Sequence, residues 1–179
     1  VRSNIIRWLK LTSIRFGFGI NFRLINKRMK PFFFTLFLAA LCPFSHAQTK
    51  RFINPPGQTP PGYSHAVEVS SGRTIYVSGQ VAMDASGAVV GQHDFRAQVK
   101  QVFENLKTVL AASDATLDDV VKFTYYVVGH DAEKLRTIRE VRDGYLKPTN
   151  RPASTLVGVQ ALFRPEFLVE IDAVAVVSR

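Results

Sequence analysis

NRPASTLVGVQALFRPEFLVEIDAVAVV, residues 150–177, reads as two apolar strands joined by a loop, Ser154 to Gln160 and Phe167 to Val177. Pro152 precedes the first run and Pro165 lies in the connection; proline is confined to strand edges or to positions outside them, so the two residues bracket the pair. In the second run Val169, Ile171 and Ala173 alternate with Glu170 and Asp172. With a side-chain period of two, the carboxylates share one face of the strand and the aliphatic side chains share the other. Carboxylates are expensive to bury, so that face meets water, a partner charge or a ligand. The pattern alone leaves a solvated face and a functional site both open.

Upstream, the same rules give a small mixed domain. Asn54 to Gly62 (NPPGQTPPG) is too rich in Pro and Gly for regular structure. Tyr63 to Val69 alternates, Ser70-Ser71-Gly72 makes a turn, and Thr74 to Ser78 is β-branched and aromatic, which predicts a hairpin. Gly79 follows, where the backbone can bend or admit a close neighbour. From Asp94, an N-cap candidate, to Ala112, the residues Phe95, Val99, Val102, Leu106, Val109 and Leu110 recur at helical spacing. Thr116 to Asp119 resembles a capping box with Asp in place of Glu. Val120 to Val128 (VVKFTYYVV) has the composition of a central strand. Asp131 can cap a second helix with Leu135, Ile138, Val141 and Tyr145 inward, stopped by Pro148. The expected order is β-β-α-β-α-β-β, an α+β domain with two helices on one face of a mixed sheet.

Charge separates this domain from what precedes it. The chain has 179 residues and a formal net charge of +9, yet residues 1–47 hold eight Lys or Arg and no acid, leaving 15 bases against 14 acids in 48–179. The near-neutral domain offers no basic footprint for nucleic acid, which would have to belong to the folded part. Met29-Lys30, the apolar run Phe32 to Leu41 and the ending Ser45-His46-Ala47 match a secretory signal peptide cut after Ala47. The run is shorter than the roughly 20 apolar residues a spanning helix needs, so no membrane attachment is expected after cleavage. Residues 1–28 then read as an upstream extension from a start assigned too early, with Met29 as the true start. An amphipathic, Arg-rich targeting segment is the rival reading. The expected product is periplasmic or secreted and lacks cysteine, since the one cysteine is Cys42. Its divisions are a Pro/Gly-rich segment at 48–61 and the folded domain at 62–179.

In order along the chain, Gly62-Tyr63-Ser64, Val77-Ser78-Gly79-Gln80, Gln98 to Leu106 (QVKQVFENL), Val120 to Thr124, Arg151 to Thr155 and Val169 to Ala175 together resemble the RidA (YjgF-like) family of reactive-intermediate deaminases. The resemblance spans about residues 52–177. It implies a chorismate-mutase-like fold, a homotrimer with a central barrel, and small-ligand clefts between subunits. It also implies hydrolysis of 2-imino or 2-enamino acids to 2-keto acids and ammonia without a metal or organic cofactor. Strands apolar on both sides, such as Tyr125 to Val128 and Val174 to Val177, agree with burial in an assembly.

Carried over residue by residue, the resemblance makes Glu170 the catalytic carboxylate that positions water. It makes Tyr63 a cleft-lining residue, although Tyr63 can equally cover a sheet edge. Gly79 and Thr155 become positions whose backbone borders the ligand. The family's Pro-Ala-Arg-Ser pattern supplies a guanidinium that holds the substrate carboxylate in a bidentate grip. Here the order is Arg151-Pro152-Ala153-Ser154, read as Ala153 in the arginine's place with Arg151 two residues earlier. Two residues are one strand period, about 7 Å, so Arg151 is either a displaced substrate-binding clamp or a plain loop arginine. His65, His93 and His130 are not spaced as metal ligands, and no phosphate loop or nucleophile elbow is present. Two functions therefore stand open: an imine or enamine hydrolase, or a non-catalytic trimer that binds small ligands in the same cleft.

Overall fold

Val120–Val128, with burial alternating along its length, becomes one of two inner strands in a four-stranded sheet. This computed structural model describes residues 50–58 and 60–178. In chain order the elements are β1 (Lys50–Ile53), β2 (Ala66–Val69), β3 (Arg73–Val81), α1 (Phe95–Ala111), β4 (Val120–Val128), α2 (Ala132–Asp143), β5 (Ala153–Val159) and β6 (Val169–Val177). The readings of 1–28 as an extension and 29–47 as an export signal lie outside the described residues.

The sheet order is β3-β6-β4-β5, with β4 and β5 parallel and the other neighbours antiparallel. The parallel pair needs a crossover, which α2 supplies. Asp94 and Asp131 cap the helices as the sequence predicts, accepting from the backbone N–H of Ala97 at 3.0 Å and of Lys134 at 2.7 Å. The Asp119 carboxylate accepts from the Thr116 backbone at 2.9 Å, closing the box that opens β4.

Two expectations are corrected. β5 and β6 are not neighbours, because β4 lies between them. A parallel strand returning through α2 takes the free edge of β4, and β6, buried along most of its length, takes the interior. The hairpin expected from Tyr63–Val69 and Thr74–Ser78 does not form either. β2 pairs with β1, an unpredicted strand just before the irregular stretch Asn54 to Gly62, in register Lys50↔Val69 to Ile53↔Ala66. β3 pairs instead with the longer β6. The Asn54 side chain accepts from the His65 backbone N–H at 3.0 Å and ties the β1–β2 pair where it opens.

The core lies between the helices and the facing side of the sheet. Phe103 of α1, fully buried, stacks on Tyr145 with ring centres 4.9 Å apart and meets Phe123 edge-on at 6.1 Å. α1 also buries a polar side chain, Gln98. Its Nε2 donates to the carbonyls of Gly91 (3.2 Å) and Glu166 (2.7 Å), and its Oε1 accepts from the Leu168 N–H at 2.8 Å. One side chain thus fixes the loop that delivers β6.

The opposite side of the sheet carries no helix among the described residues. Strand register assigns it: Tyr76 faces Val174, Thr124 faces both Asp172 and Thr155, and Tyr126 faces Glu170 and Val157. Tyr76 is 82% exposed and Val157 is 40% exposed.

Candidate functional site

The functional residues expected from the sequence fall into two groups, one on each side of the sheet. Glu170 lies on the open side in β6, and Gly79 sits in β3 where the β3–β6 register shifts between Val77 and Gln80. The shift is a local irregularity of the ladder, a place where strands re-aim side chains. The Glu170 carboxylate rests directly over Gly79: a Cβ built there would come 1.8 Å from Oε1 and 2.6 Å from Cδ. Gly79 does not have a left-handed φ. Its lack of a side chain is therefore demanded by the Glu170 side chain and not by a left-handed backbone. Partial burial holds the Glu170 carboxyl above the ordinary glutamate range, and the negative charge of Asp172 adds to the rise. Asp172 accepts from the Tyr126 hydroxyl at 3.3 Å. It also pushes the Tyr126 hydroxyl upward, with Glu170 contributing less.

Gly79→Ala tests this contact. Alanine's φ/ψ needs are met at this position, so the methyl should displace the carboxylate rather than the strand. If Glu170 is a catalytic group, its displacement should lower activity by about 100-fold, with circular dichroism unchanged. Turnover equal to that of the unmodified protein would show that the Glu170 position is not critical.

Thr155 is exposed on the same open side, paired in register with Thr124. Tyr63 belongs to the second group, on the helix side. The Ser64 N–H donates to the Pro152 carbonyl at 3.1 Å, and Ser64 bridges Ala153, so this segment extends the free edge of β5. Tyr63 lines a cavity of about 240 Å³ with Ser154, Tyr125 and the α2 residues Leu135, Arg139 and Arg142.

This placement corrects the reading of the arginine position. Ala153 pairs with Lys122 and so belongs to the open side, whereas Ser154 pairs with the core residue Phe123 and reaches the cavity. Counted from Pro152-Ala153, the residue that follows is Ser154, and a hydroxyl stands where the family pattern has a guanidinium. Arg151 is not brought to Glu170. Its side chain, 11% exposed, lies with Nη1 3.1 Å from Asp143 Oδ1 at the end of α2. Pro152 breaks the strand period between them, so Arg151 does not continue the face of Ala153.

Sequence reasoning missed Arg139, Arg142, Tyr125 and Ser154. The signal for Arg142 was present: Leu135, Ile138 and Arg142 fall at i, i+3 and i+7, the inward stripe of a helix, whereas Arg139 is exposed. Gly62 has φ +89 and a Cβ there would meet Arg142 Nη2 at 2.1 Å, so the chain crosses the guanidinium closely. Among the described residues no cluster of His, Cys, Asp and Glu is arranged to hold a metal ion.

The mixed sheet with two helices on one face is the α+β domain that the sequence predicts. The family described as Endoribonuclease L-PSP matches residues 39–177, and the chain belongs to it. Protein DfrA of Myxococcus xanthus is 40% identical over 114 residues, covering 64% of this chain and 84% of that protein. The human 2-iminobutanoate/2-iminopropanoate deaminase is 36% identical over 121 residues, covering 68% of this chain and 83% of that protein. Among solved structures, the Rid-family protein YyfB of Yersinia pestis, described as of unknown function, is 44% identical with a TM-score of 0.68. The match covers 72% of this chain and 98% of that one.

Proposed function

We propose that this Rid-family protein hydrolyses small 2-imino or 2-enamino acids to the 2-keto acid and ammonia. The observation that carries the reading is the Glu170 carboxylate seated over Gly79 with its pKa raised. Water adds to the electrophilic carbon of the C=N bond and its proton passes to Glu170. Glu170 then returns that proton to nitrogen, and as the C–N bond of the tetrahedral intermediate breaks and ammonia leaves, the carboxylate takes the hydroxyl proton, so that the carbonyl product forms. A carboxyl with a raised pKa suits both transfers better than an ordinary one. The near-neutral charge of residues 48–179 supports a small ligand over RNA, whose phosphates demand a basic surface. The test is loss of 2-iminobutanoate generated in situ by an amino-acid oxidase. Acceleration over spontaneous hydrolysis is expected, and its absence would overturn the reading.

The reading includes self-association. Glu170 and the Tyr63 cavity lie on opposite sides of one chain's sheet, so a ligand touching both requires a second copy. The exposed Tyr76 and Val157 on the open side support contact there. Light scattering should give three times the chain mass; a monomer at micromolar concentration would refute the shared cleft. The rival reading, a trimer that binds ligands without catalysis, is favoured by one observation, the hydroxyl of Ser154 in place of the family's arginine.

A further inference from the structure

α2 turns one arginine, Arg142, to the interior, while Arg139 of the same helix is exposed. Arg139 and Arg142 line the cavity between α2 and the β4–β5 edge together with the apolar Leu135, Ile138 and Leu156. The Arg142 side chain is 9% exposed, and its Nε and Nη2 donate to Asp143 Oδ1 at 3.1 and 2.9 Å. Arg151 Nη1 lies 3.1 Å from the same oxygen, without the alignment of a hydrogen bond. Two nearly buried guanidiniums therefore share one carboxylate, and Asp143 is itself half-exposed. Buried charge is stable only when matched, so this corner holds positive charge in excess.

A second observation points the same way. Tyr125 is one of the residues around the cavity, and its hydroxyl is fully buried with no hydrogen-bond partner among the described residues. Arg151 Nε is buried without a partner as well. Burial drives the Tyr125 hydroxyl far above its ordinary range, so it remains a protonated donor; Arg142 and Arg151 are the cations acting on it. Buried donors in native proteins are nearly always matched by acceptors. Tyr125 and Arg142 line the same cavity, and Arg151 meets Arg142 at the shared Asp143 oxygen.

We propose that this cavity binds a small carboxylate with a short apolar tail, gripped by Arg142 and the Tyr125 hydroxyl, with Arg139 as a second cation. The helix thus supplies the guanidinium that Ser154 lacks. A planar carboxylate matches the guanidinium fork, and the leucine and isoleucine walls suit a hydrocarbon tail better than a hydrated phosphate. The assignment rests on the imino-acid reading for the nature of the tail.

Titration calorimetry with 2-oxobutanoate, the stable keto product, tests the grip independently of turnover. The folded protein should bind 2-oxobutanoate, should not bind neutral 2-butanone, and should not release the acid to equimolar inorganic phosphate. Arg142→Gln is expected to weaken binding by about tenfold or more, and Tyr125→Phe by about threefold, as for lost charged and neutral hydrogen bonds. Tyr125→Phe removes a group without a partner, so its melting temperature should not fall. If Arg142→Gln does not fold, Arg139→Gln and Tyr125→Phe decide. No binding of 2-oxobutanoate, displacement by phosphate, or affinity unchanged in the folded variants overturns the assignment. Imine turnover that persists with unchanged KM in those variants would overturn the grip and leave the hydrolase standing. Binding that depends on these residues without turnover would sustain the grip and overturn the hydrolase.

Discussion

Glu170→Gln is expected to lower imine turnover by about 10²- to 10⁴-fold, the range for loss of a general acid–base group, with the fold intact. Glutamine keeps the shape that rests over Gly79 but can neither take a proton from water nor return one to nitrogen. The rate should rise with pH as Glu170 loses its proton, with a midpoint above the ordinary glutamate range because burial and then Asp172 raise it. Asp172→Asn removes the repulsive charge and should move that limb to lower pH. The stability effect has the opposite sign to the activity effect. A carboxyl whose folded pKa exceeds its unfolded value holds its proton more tightly in the native state. Its contribution is complete below the unfolded pKa and is lost as pH rises through the folded one. Glu170→Gln should therefore melt slightly higher than the unmodified protein at neutral pH, and equally in acid below the ordinary glutamate pKa. Such a gain on removing a functional group is a familiar trade-off. Turnover within threefold of the unmodified protein would remove Glu170 from the mechanism.

What the sequence disclosed depended on whether the signal was local. Both helix starts were legible because Asp94 and Asp131 act on backbone three residues away. Glu170 and Gly79 were each legible as special positions, but their contact depends on a register shift between strands some ninety residues apart, which no local pattern encodes. The separation of β5 from β6 by β4 has the same origin, since adjacency along the chain does not fix order within a sheet. The arginine position shows how sharp the period-two rule is. Reading Ala153 rather than Ser154 as the counterpart is a shift of one residue, and one residue exchanges the open side for the cavity. An arginine introduced at 153 would therefore point away from Tyr63. Arg142 was overlooked for a different reason. A charged residue in a helix is normally assigned to the solvent face, so the inward stripe was completed with Val141 and Tyr145 instead. Val141 is indeed buried and Tyr145 packs on Phe103, but the face between them carries the guanidinium.

Gln98→Leu is expected to destabilise the protein by about 2–4 kcal/mol, the scale for leaving buried polar groups without partners. Leucine has nearly the same volume as glutamine and would be welcome on the buried stripe of α1, so a hydrophobic count alone predicts a gain. The hydrogen bonds decide otherwise. Gln98 is fully buried, and its amide group serves three backbone groups at once, the carbonyls of Gly91 and Glu166 and the N–H of Leu168. These belong to two irregular segments, one before α1 and one before β6, where no strand ladder offers a substitute partner. For a domain of this size the loss should appear as a drop of about 10 °C in melting temperature. Leu168 lies two residues before Glu170, so freeing its backbone loosens the start of β6 and the aim of the carboxylate over Gly79. Turnover should therefore fall as well, although Gln98 touches neither Glu170 nor the Tyr63 cavity. Amide exchange separates the two effects, because the Leu168 N–H should exchange faster in the variant at temperatures where the core helices remain protected. A melting temperature within about 2 °C of the unmodified protein, with Leu168 exchange unchanged, would mean that the loop is held by its own turn and by packing of Phe167 rather than by this side chain.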